Sequence, residues 1–587
     1  MFRRNAIMGQ VAVWLAFSLL LIAPVAKAGS EAANIKNCPE GNWCSYHRDN
    51  SGQQFSPLKQ INTGNVKNLK VAWIFNPGVR HRGIESHPLA IDGNMYVFTN
   101  PSTVWKLDGA TGERKWAYVP EMDAAVVARS FFAHTRGGAI GDGRVYMGLA
   151  DGRVVALDEK SGSVMWDVKL VDSSKETAGF SGSGVFVDSG LFVISQNGGE
   201  YPVEGKIFGM DPKNGSTKWV FYTTGRNDPS ALATWGGDSW KFGGGGSWQP
   251  GSVDYKNNQI LIGTGNPNPD YDYCGDKCMD VNADAWRPGI NLYTSSTVAL
   301  DLGTGKLNWF FQEAPSDPYD YDASPGEYVL YNDGGKDLVL HPGKNGYNHI
   351  HEAKGGKTVN VYAAQKTANW TSGYNMAKGQ WENMLWPKAG VKTKVCPAID
   401  GGHSFNSGSY SPITKLHYRT VQEWCMWLTV NPKEGAAASA GSETRTLEPF
   451  ALAFMSAQWE GTDPDGVKAH GRVEAREPTS GKIKWEKKYD IIPHSSLVST
   501  AGGLVFNGTF EGWLEALDAN DGKQLWKFNN GTSHNGGIIS YNAGGKQFIA
   551  AAVGHGTYVG GAVVALFGKQ LVNYGDYTNS VVAYTLP

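Results

Sequence analysis

A short pattern recurs along this chain and limits what it can fold into: an Asp, a Gly four residues on, and a Trp four beyond that. It reads LDGATGERKW (107–116), LDEKSGSVMW (157–166), MDPKNGSTKW (210–219), LDLGTGKLNW (300–309) and LDANDGKQLW (517–526). REPTSGKIKW (476–485) keeps the Gly and the Trp with Glu477 in the Asp position, and HEAKGGKTV (351–359) is a worn copy. The spacing has a physical reason. A strand ends at the Asp, whose side chain caps the turn. The Gly supplies a positive φ, and the next strand delivers the Trp. Flanking runs alternate as strands do, with GRVYMGLADGRVVALD (143–158) reading as two strands about Asp151-Gly152.

Hairpin units returning every 40–90 residues or so predict a propeller or solenoid rather than unrelated hairpins of a sandwich. The last strand, SVVAYTLP (580–587), carries no Gly-x-x-x-Trp tail, and LKVAWIF (69–75) has a Trp without a preceding turn motif. Paired, the two would complete one blade and remove an open edge. Seven copies plus this shared blade predict an all-β, eight-bladed propeller of about 70 residues per blade. Glycine (75 residues) and tryptophan (21 residues) are plentiful, as short strands, tight turns and aromatic packing require.

Residues 1–28 read as a separate object. Arg3 and Arg4 precede an apolar run from Val11 to Val25, and Ala26-Lys27-Ala28 is a small-x-small cleavage site, so a secretory signal peptide is expected over 1–28 and a single propeller domain over 29–587. The apolar run is short for a retained membrane span. Cleavage would remove Arg3, Arg4 and Lys27 but no acid, taking the formal charge from −2 to −5. No later segment is apolar enough to cross a bilayer, and no basic run offers a nucleic-acid surface. The six cysteines suit an exported protein, and local pairs (Cys38 with Cys44, Cys274 with Cys278, Cys396 with Cys425) are the simplest of fifteen connectivities. Cys274 and Cys278 lack the second ligand pair of a zinc site, and the sequence has no C-x-x-C-H for c-type haem.

Other stretches carry a resemblance. SPLKQINTGNVKNLKVAW (56–73), GGEY (198–201), GTGNPNP (263–269), NLYTSSTVALD (291–301) and DYD (320–322) stand in the order found in pyrroloquinoline quinone (PQQ)-dependent alcohol dehydrogenases of the methanol/ethanol dehydrogenase type. The Trp repeat is similar to that family's tryptophan-docking motif. The resemblance implies an eight-bladed propeller with PQQ near its axis and a metal ion beside the C5 carbonyl. It assigns Glu200, Asn266 and Asp320 to the metal and catalytic positions, with Asp320 as general base. Glu85, Arg136 and Lys344 match polar PQQ contacts, Gly199 of GGEY lies in a cofactor-side turn, Trp248 matches the ring beneath the quinone, and Trp513 matches another cofactor-side Trp. Taken singly, each residue has a plainer reading as a turn, core or solvated side chain; their joint order carries the assignment.

The residue types suit that chemistry. Hard cations take carboxylate and amide oxygens, a bound ion polarises a carbonyl as a Lewis acid, and Arg and Lys suit a cofactor with three carboxylates. In DPYDYDAS (317–324), Asp322 follows Asp320 by two residues, so an extended segment turns both to one side. In this family an Asp there marks the lanthanide-using branch, so Asp322 is expected as a further metal ligand, with a lanthanide favoured and calcium the alternative. Asp317 is expected in a loop role. Two departures stand out: the family's adjacent cysteine pair is replaced by Ser130-Phe131-Phe132, and SPGE (324–327) replaces the usual continuation after DYD. The resemblance also implies a periplasmic enzyme that oxidises an alcohol and passes electrons to a cytochrome c or similar acceptor, and it matches Cys396 and Cys425 to a family disulfide. The competing readings are a non-catalytic envelope scaffold, which has no use for Glu200, Asn266, Asp320 and Asp322 together, and a quinohaemoprotein, which lacks its haem motif here.

Overall fold

The computed structural model describes residues 35–587 except 79–82, 130–133, 174, 432–456, 555–557, 569–570 and 572–578. The expected signal peptide and Ser130-Phe131-Phe132 lie outside the described residues. Strands dominate. Antiparallel four-stranded meanders span 89–118, 139–169, 185–222, 252–312 and 329–363. Ser409–Ser411, Leu416–Glu423, His470–Arg476 and Ile483–Tyr489 make a sixth. A seventh covers 498–529, with Phe55–Ser56 added in parallel to Val498–Thr500. In the eighth, His534–Ala543 and Lys546–Val553 are followed by Ser580–Thr585, and the outer strand is Lys70–Phe75 from the other end of the chain. The expected pairing of 69–75 with 580–587 is therefore present, with Phe75 opposite Val581.

Burial falls from the first strand of each meander to the fourth. Val498–Thr500 is wholly buried, whereas Gln524–Asn529 is mostly open. In several fourth strands the one buried residue is the repeat Trp, as with Trp166, Trp219, Trp309 and Trp485. The indole N–H donates to the carbonyl just after the acidic residue of the next repeat: Trp116 to Glu159 O (3.3 Å), Trp166 to Pro212 O (3.0 Å), Trp219 to Leu302 O (3.0 Å), Trp309 to Ala353 O (3.2 Å) and Trp485 to Ala519 O (3.0 Å). Trp73, on Lys70–Phe75, does the same to Gly109 O at 3.1 Å.

The indole face lies on the next repeat's Gly. A Cβ on Gly305, whose φ is +68°, would stand 2.5 Å from the Trp219 ring. The Gly thus serves twice, by its left-handed backbone and by its bare face. The Asp caps the turn as expected: Asp301 Oδ1 accepts from Gly303 N (3.1 Å) and Thr304 N (2.8 Å). The worn copy is repaired by a neighbour. Asn360 stands at the Trp position, and Tyr362, two residues on along the same strand face, lies against Gly481 and donates to Pro478 O at 2.9 Å.

A hairpin (Gly373–Asn375, Gln380–Glu382) and a three-stranded sheet (Thr393–Val395, Cys425–Leu428, Ala457–Glu460) stand apart from the meanders. The disulfides are Cys38–Cys44, Cys274–Cys278 and Cys396–Cys425, the local pairing expected. No helix among the described residues is long and apolar enough to cross a membrane.

Candidate active site

The segment 317–324 is held from behind by its tyrosines. Tyr319 and Tyr321 are buried, their rings stack 5.0 Å apart, and their hydroxyls donate to Leu385 O (2.6 Å) and Pro397 O (2.5 Å). Asp317 folds the turn: Oδ1 accepts from Tyr319 N (3.3 Å) and Tyr321 N (2.8 Å), and Oδ2 from Ser295 Oγ (2.5 Å). That is the loop role expected of it. Asp320 takes a left-handed φ of +66°. Ala323 N donates to Thr264 O at 3.0 Å, which joins this segment to GTGN, and a Cβ on Gly263 would run into Ala323 O at 1.7 Å. Gly263 is therefore needed for the two segments to meet.

With the tyrosines turned away, Asp320 and Asp322 share one partner. Lys344 Nζ lies 2.9 Å from Asp320 Oδ1 and 2.8 Å from Asp322 Oδ1. Gly401 leaves room for the lysine stem, since a Cβ there would stand 2.3 Å from Lys344 Cγ. Asp322 Oδ2 accepts from Trp248 Nε1. The Arg136 guanidinium sits over the Trp248 ring, 4.7 Å from its centroid, and pairs at 3.0 Å with Glu85, which His134 also approaches at 3.3 Å. Glu85, Arg136, Trp248, Asp322, Lys344 and Asp320 thus form one contiguous cluster, buried except for the half-buried Trp248 and drawn from positions more than 200 residues apart in the chain.

Asn266 and Gly199 join from the side. Asn266 is fully buried; its Nδ2 donates to Asp270 Oδ1 at 2.7 Å, while Oδ1 has no hydrogen-bond partner and stands where a Cβ on Gly199 would be, 2.4 Å away. Gly199 is bare because the Asn266 amide occupies that space, and Glu200 follows it directly. Among the described residues, no three His, Cys, Asp or Glu side chains already stand at metal-binding distance. The Lys344 ammonium takes the place between Asp320 and Asp322, and Trp248 engages the remaining Asp322 oxygen. Trp513 makes its contacts elsewhere: the Lys527 ammonium lies 4.3 Å over its ring and Thr509 Oγ1 accepts from its backbone N–H.

The electrostatics are those of a crowded acidic pocket. Burial holds the Asp320 carboxyl well above its ordinary range; Lys344 pulls it back, and Asp270, Asp322 and Glu200 push it up. Glu200 is raised by burial and by Asp322, and Asp270 by burial and then by Glu200. Lys344 is raised: burial alone would lower it, but Asp320 and Asp322 outweigh that. Glu85 shows the opposite balance. Burial would raise it, yet His134 and Arg136 hold it at about 2. Carboxylates that repel one another with unpaired buried oxygens create demand for a cation.

Two residues that sequence reasoning passed over complete the frame. Asp270 ends GTGNPNPD, and a lone Asp after Pro-Asn-Pro reads as a turn residue. Arg287, fully buried, ties the loops together: Nε donates to Pro269 O (2.7 Å), and Nη2 to Asp270 O (3.1 Å) and Asp317 O (2.8 Å). Its place in WRPGINLY (286–293), which runs into the family stretch NLYTSSTVALD, was the available signal.

The fold is a β-propeller with an acidic cluster beneath an aromatic ring, and comparison with known proteins shows its family. The family model described as glucose/ethanol/alcohol dehydrogenase, beta-propeller domain, with PQQ, matches residues 43–366 and 349–549. The chain belongs to this family of PQQ-dependent alcohol dehydrogenases, with its all-β propeller fold. It is 32% identical to quinohemoprotein alcohol dehydrogenase ADH IIB of Pseudomonas putida, over 94% of this chain and 80% of that one. It is 29% identical to quinoprotein alcohol dehydrogenase PedH of Pseudomonas putida, over 98% of this chain and 96% of that one. Among solved structures, a europium-containing methanol dehydrogenase superposes with a TM-score of 0.82 at 25% identity, covering 93% of this chain and 98% of that chain.

Proposed function

We propose that this chain is a periplasmic, haem-free quinoprotein that oxidises an alcohol to an aldehyde or ketone and passes the electrons to an external acceptor such as a cytochrome c. The eight sheets are the blades of one closed ring formed by residues 29–587, after removal of a signal peptide over 1–28. The observation that carries this reading is the buried meeting of Asp320, Asp322, Lys344, Trp248, Arg136 and Glu85.

The residues present fit the group. Asn266 keeps a buried carbonyl oxygen without a partner, Gly199 leaves space beside it, and the Asp320 and Glu200 carboxyls are held above their ordinary range by burial and then by repulsion from neighbouring carboxylates. Glu200, Asn266, Asp320 and Asp322 would hold a metal ion, a lanthanide in preference to calcium. Arg136, Lys344 and Glu85 would take the polar edge of PQQ, Trp248 its ring face, and Trp513 a position further along the cofactor side. When bound, PQQ supplies the hydride acceptor and the ion polarises its carbonyl. Asp320 accepts the proton of the substrate hydroxyl, Lys344 at 2.9 Å favours its carboxylate form, and Trp248 fixes Asp322 through its indole N–H. The range of alcohols is this chain's own, since its sequence carries Ser130-Phe131-Phe132 where the family has adjacent cysteines.

The test is reconstitution of the purified protein with PQQ and either calcium or a light lanthanide, followed by dye reduction across a panel of alcohols. Asp320→Asn should lose roughly 10²–10⁴-fold in rate while retaining PQQ and metal. Near-normal turnover in that variant, with the amide intact, would reject Asp320 as the base.

A further inference from the structure

Asn266 can serve an ion only through Oδ1, and its amide must be held from turning round. Asp270 is 4% exposed, and its Oδ1 accepts from Asn266 Nδ2 at 2.7 Å; the same Nδ2 reaches Pro267 O at 3.4 Å. Asp270 Oδ1 takes the amide nitrogen of Asn266, so Oδ1 of that amide is turned the other way. That oxygen is fully buried, has no hydrogen-bond partner, and lies against Gly199 beside Glu200. Asp270 Oδ2 is also buried without a hydrogen-bond partner. The Asp270 backbone is itself fixed, since Arg287 Nη2 donates to its carbonyl at 3.1 Å.

The charges lead to the same residue. Asp270 is a fourth carboxylate beside Glu200, Asp320 and Asp322, with Lys344 set between two of them and the Arg287 guanidinium at the Asp270 carbonyl. A trivalent ion gains more from a further carboxylate than a divalent one does.

We infer that Asp270 is a positioning residue of the metal site: it locks the Asn266 amide with its oxygen toward the ion and adds the charge that favours a trivalent cation. This rests on the function proposed above, and it concerns a residue which that reading leaves without a role.

The experiment compares wild type, Asp270→Asn and the exchange variant Asn266→Asp/Asp270→Asn, each loaded with PQQ. La³⁺ and Ca²⁺ affinities are measured by chelator-buffered titration, with the PQQ absorbance and melting temperature recorded. Removing one outer partner of a metal ligand typically costs 10–100-fold in affinity. Asp270→Asn should lose that much for La³⁺ and distinctly less for Ca²⁺. The exchange variant keeps the charge and guarantees an inward oxygen, so it should return to within about threefold of wild type, a recovery that a purely architectural Asp270 would not give. Unchanged La³⁺ affinity in Asp270→Asn overturns the inference, as does a loss that the folded exchange variant fails to restore. Should Asp270→Asn not fold, the exchange variant decides alone: near-wild-type La³⁺ binding supports the role and its loss refutes it. Wild-type protein that binds neither PQQ nor La³⁺ defeats the proposed function itself, and this inference with it.

Discussion

Lys344 Nζ stands 2.9 Å from Asp320 Oδ1, and both side chains are nine-tenths buried. The pair sets the resting charge of the site, because the same ammonium also serves Asp322 at 2.8 Å. Lys344→Met keeps most of the volume and removes the charge, leaving two buried carboxylates without it. Breaking such a pair from one side costs about 3–5 kcal/mol. A clear fall in the melting temperature of the metal-free protein is expected, partly recovered by adding PQQ with a lanthanide. An unchanged melting temperature would show that the aspartates are neutral without Lys344.

Asp322 should govern metal preference. Its carboxylate is fixed by Trp248 and Lys344 rather than turned to solvent, so it is available to compensate a highly charged ion. Asp322→Ala should weaken reconstitution by a light lanthanide more than by calcium, measured as half-saturating metal for dye reduction. Equal affinities in wild type and variant for both metals would make Asp322 a bystander.

Gly305 of the repeat and Gly143, a turn glycine outside it, separate two effects. Gly305 and Gly143 have φ of +68° and +69°, but a Cβ on Gly305 meets Trp219 at 2.5 Å while one on Gly143 meets nothing within 4 Å. Both Ala variants pay about 1–2 kcal/mol for a left-handed backbone. Gly305→Ala should lose a further 1–3 kcal/mol or so from overpacking. Chemical denaturation that finds the two equally destabilised would remove the docking contact from the account.

Acid should act on this protein through its buried histidines. His47 is held down at about 4, and His87, His351 and His534 at about 3, each chiefly by burial. Their folded values lie below the ordinary value of 6.5, so the unfolded chain binds more protons as pH falls from 6.5 towards 4. The stability they contribute is fully present above about 7 and is lost on acidification, with a slope near 1.4 kcal/mol per pH unit for each histidine. Asp317 and Asp400, each raised to about 6 by burial, and the raised Asp320, Asp270 and Glu200 act in the opposite sense, so the histidine share is read by difference. The melting temperature of wild type should fall more between pH 8 and 4.5 than that of His534→Gln; an equal fall in both would contradict this.

Much of the fold was legible because the repeat couples three physical needs at fixed spacing, the Asp turn, the left-handed Gly and the Trp that docks on the next repeat. The Tyr362 repair was not, since it depends on which face of a strand meets Gly481. In the site, Glu85, Arg136, Trp248, Lys344, Asp320 and Asp322 were readable as a set through their order in the chain. Asp270 and Arg287 were not, because their roles are hydrogen bonds to Asn266 and to the carbonyls of distant loops, and neither residue type announces such a partner. Trp513 matched by motif alone, and its contacts with Lys527 and Thr509 add nothing to the acidic cluster.

Crystals of the protein loaded with PQQ and europium, with diffraction data collected at the metal's absorption edge, locate ion and cofactor together. One strong anomalous peak is expected at bonding distance from Glu200, Asn266 Oδ1, Asp320 and Asp322, with PQQ lying against Trp248 and its carboxylates near Arg136. A peak elsewhere, or PQQ bound away from Trp248, would contradict it.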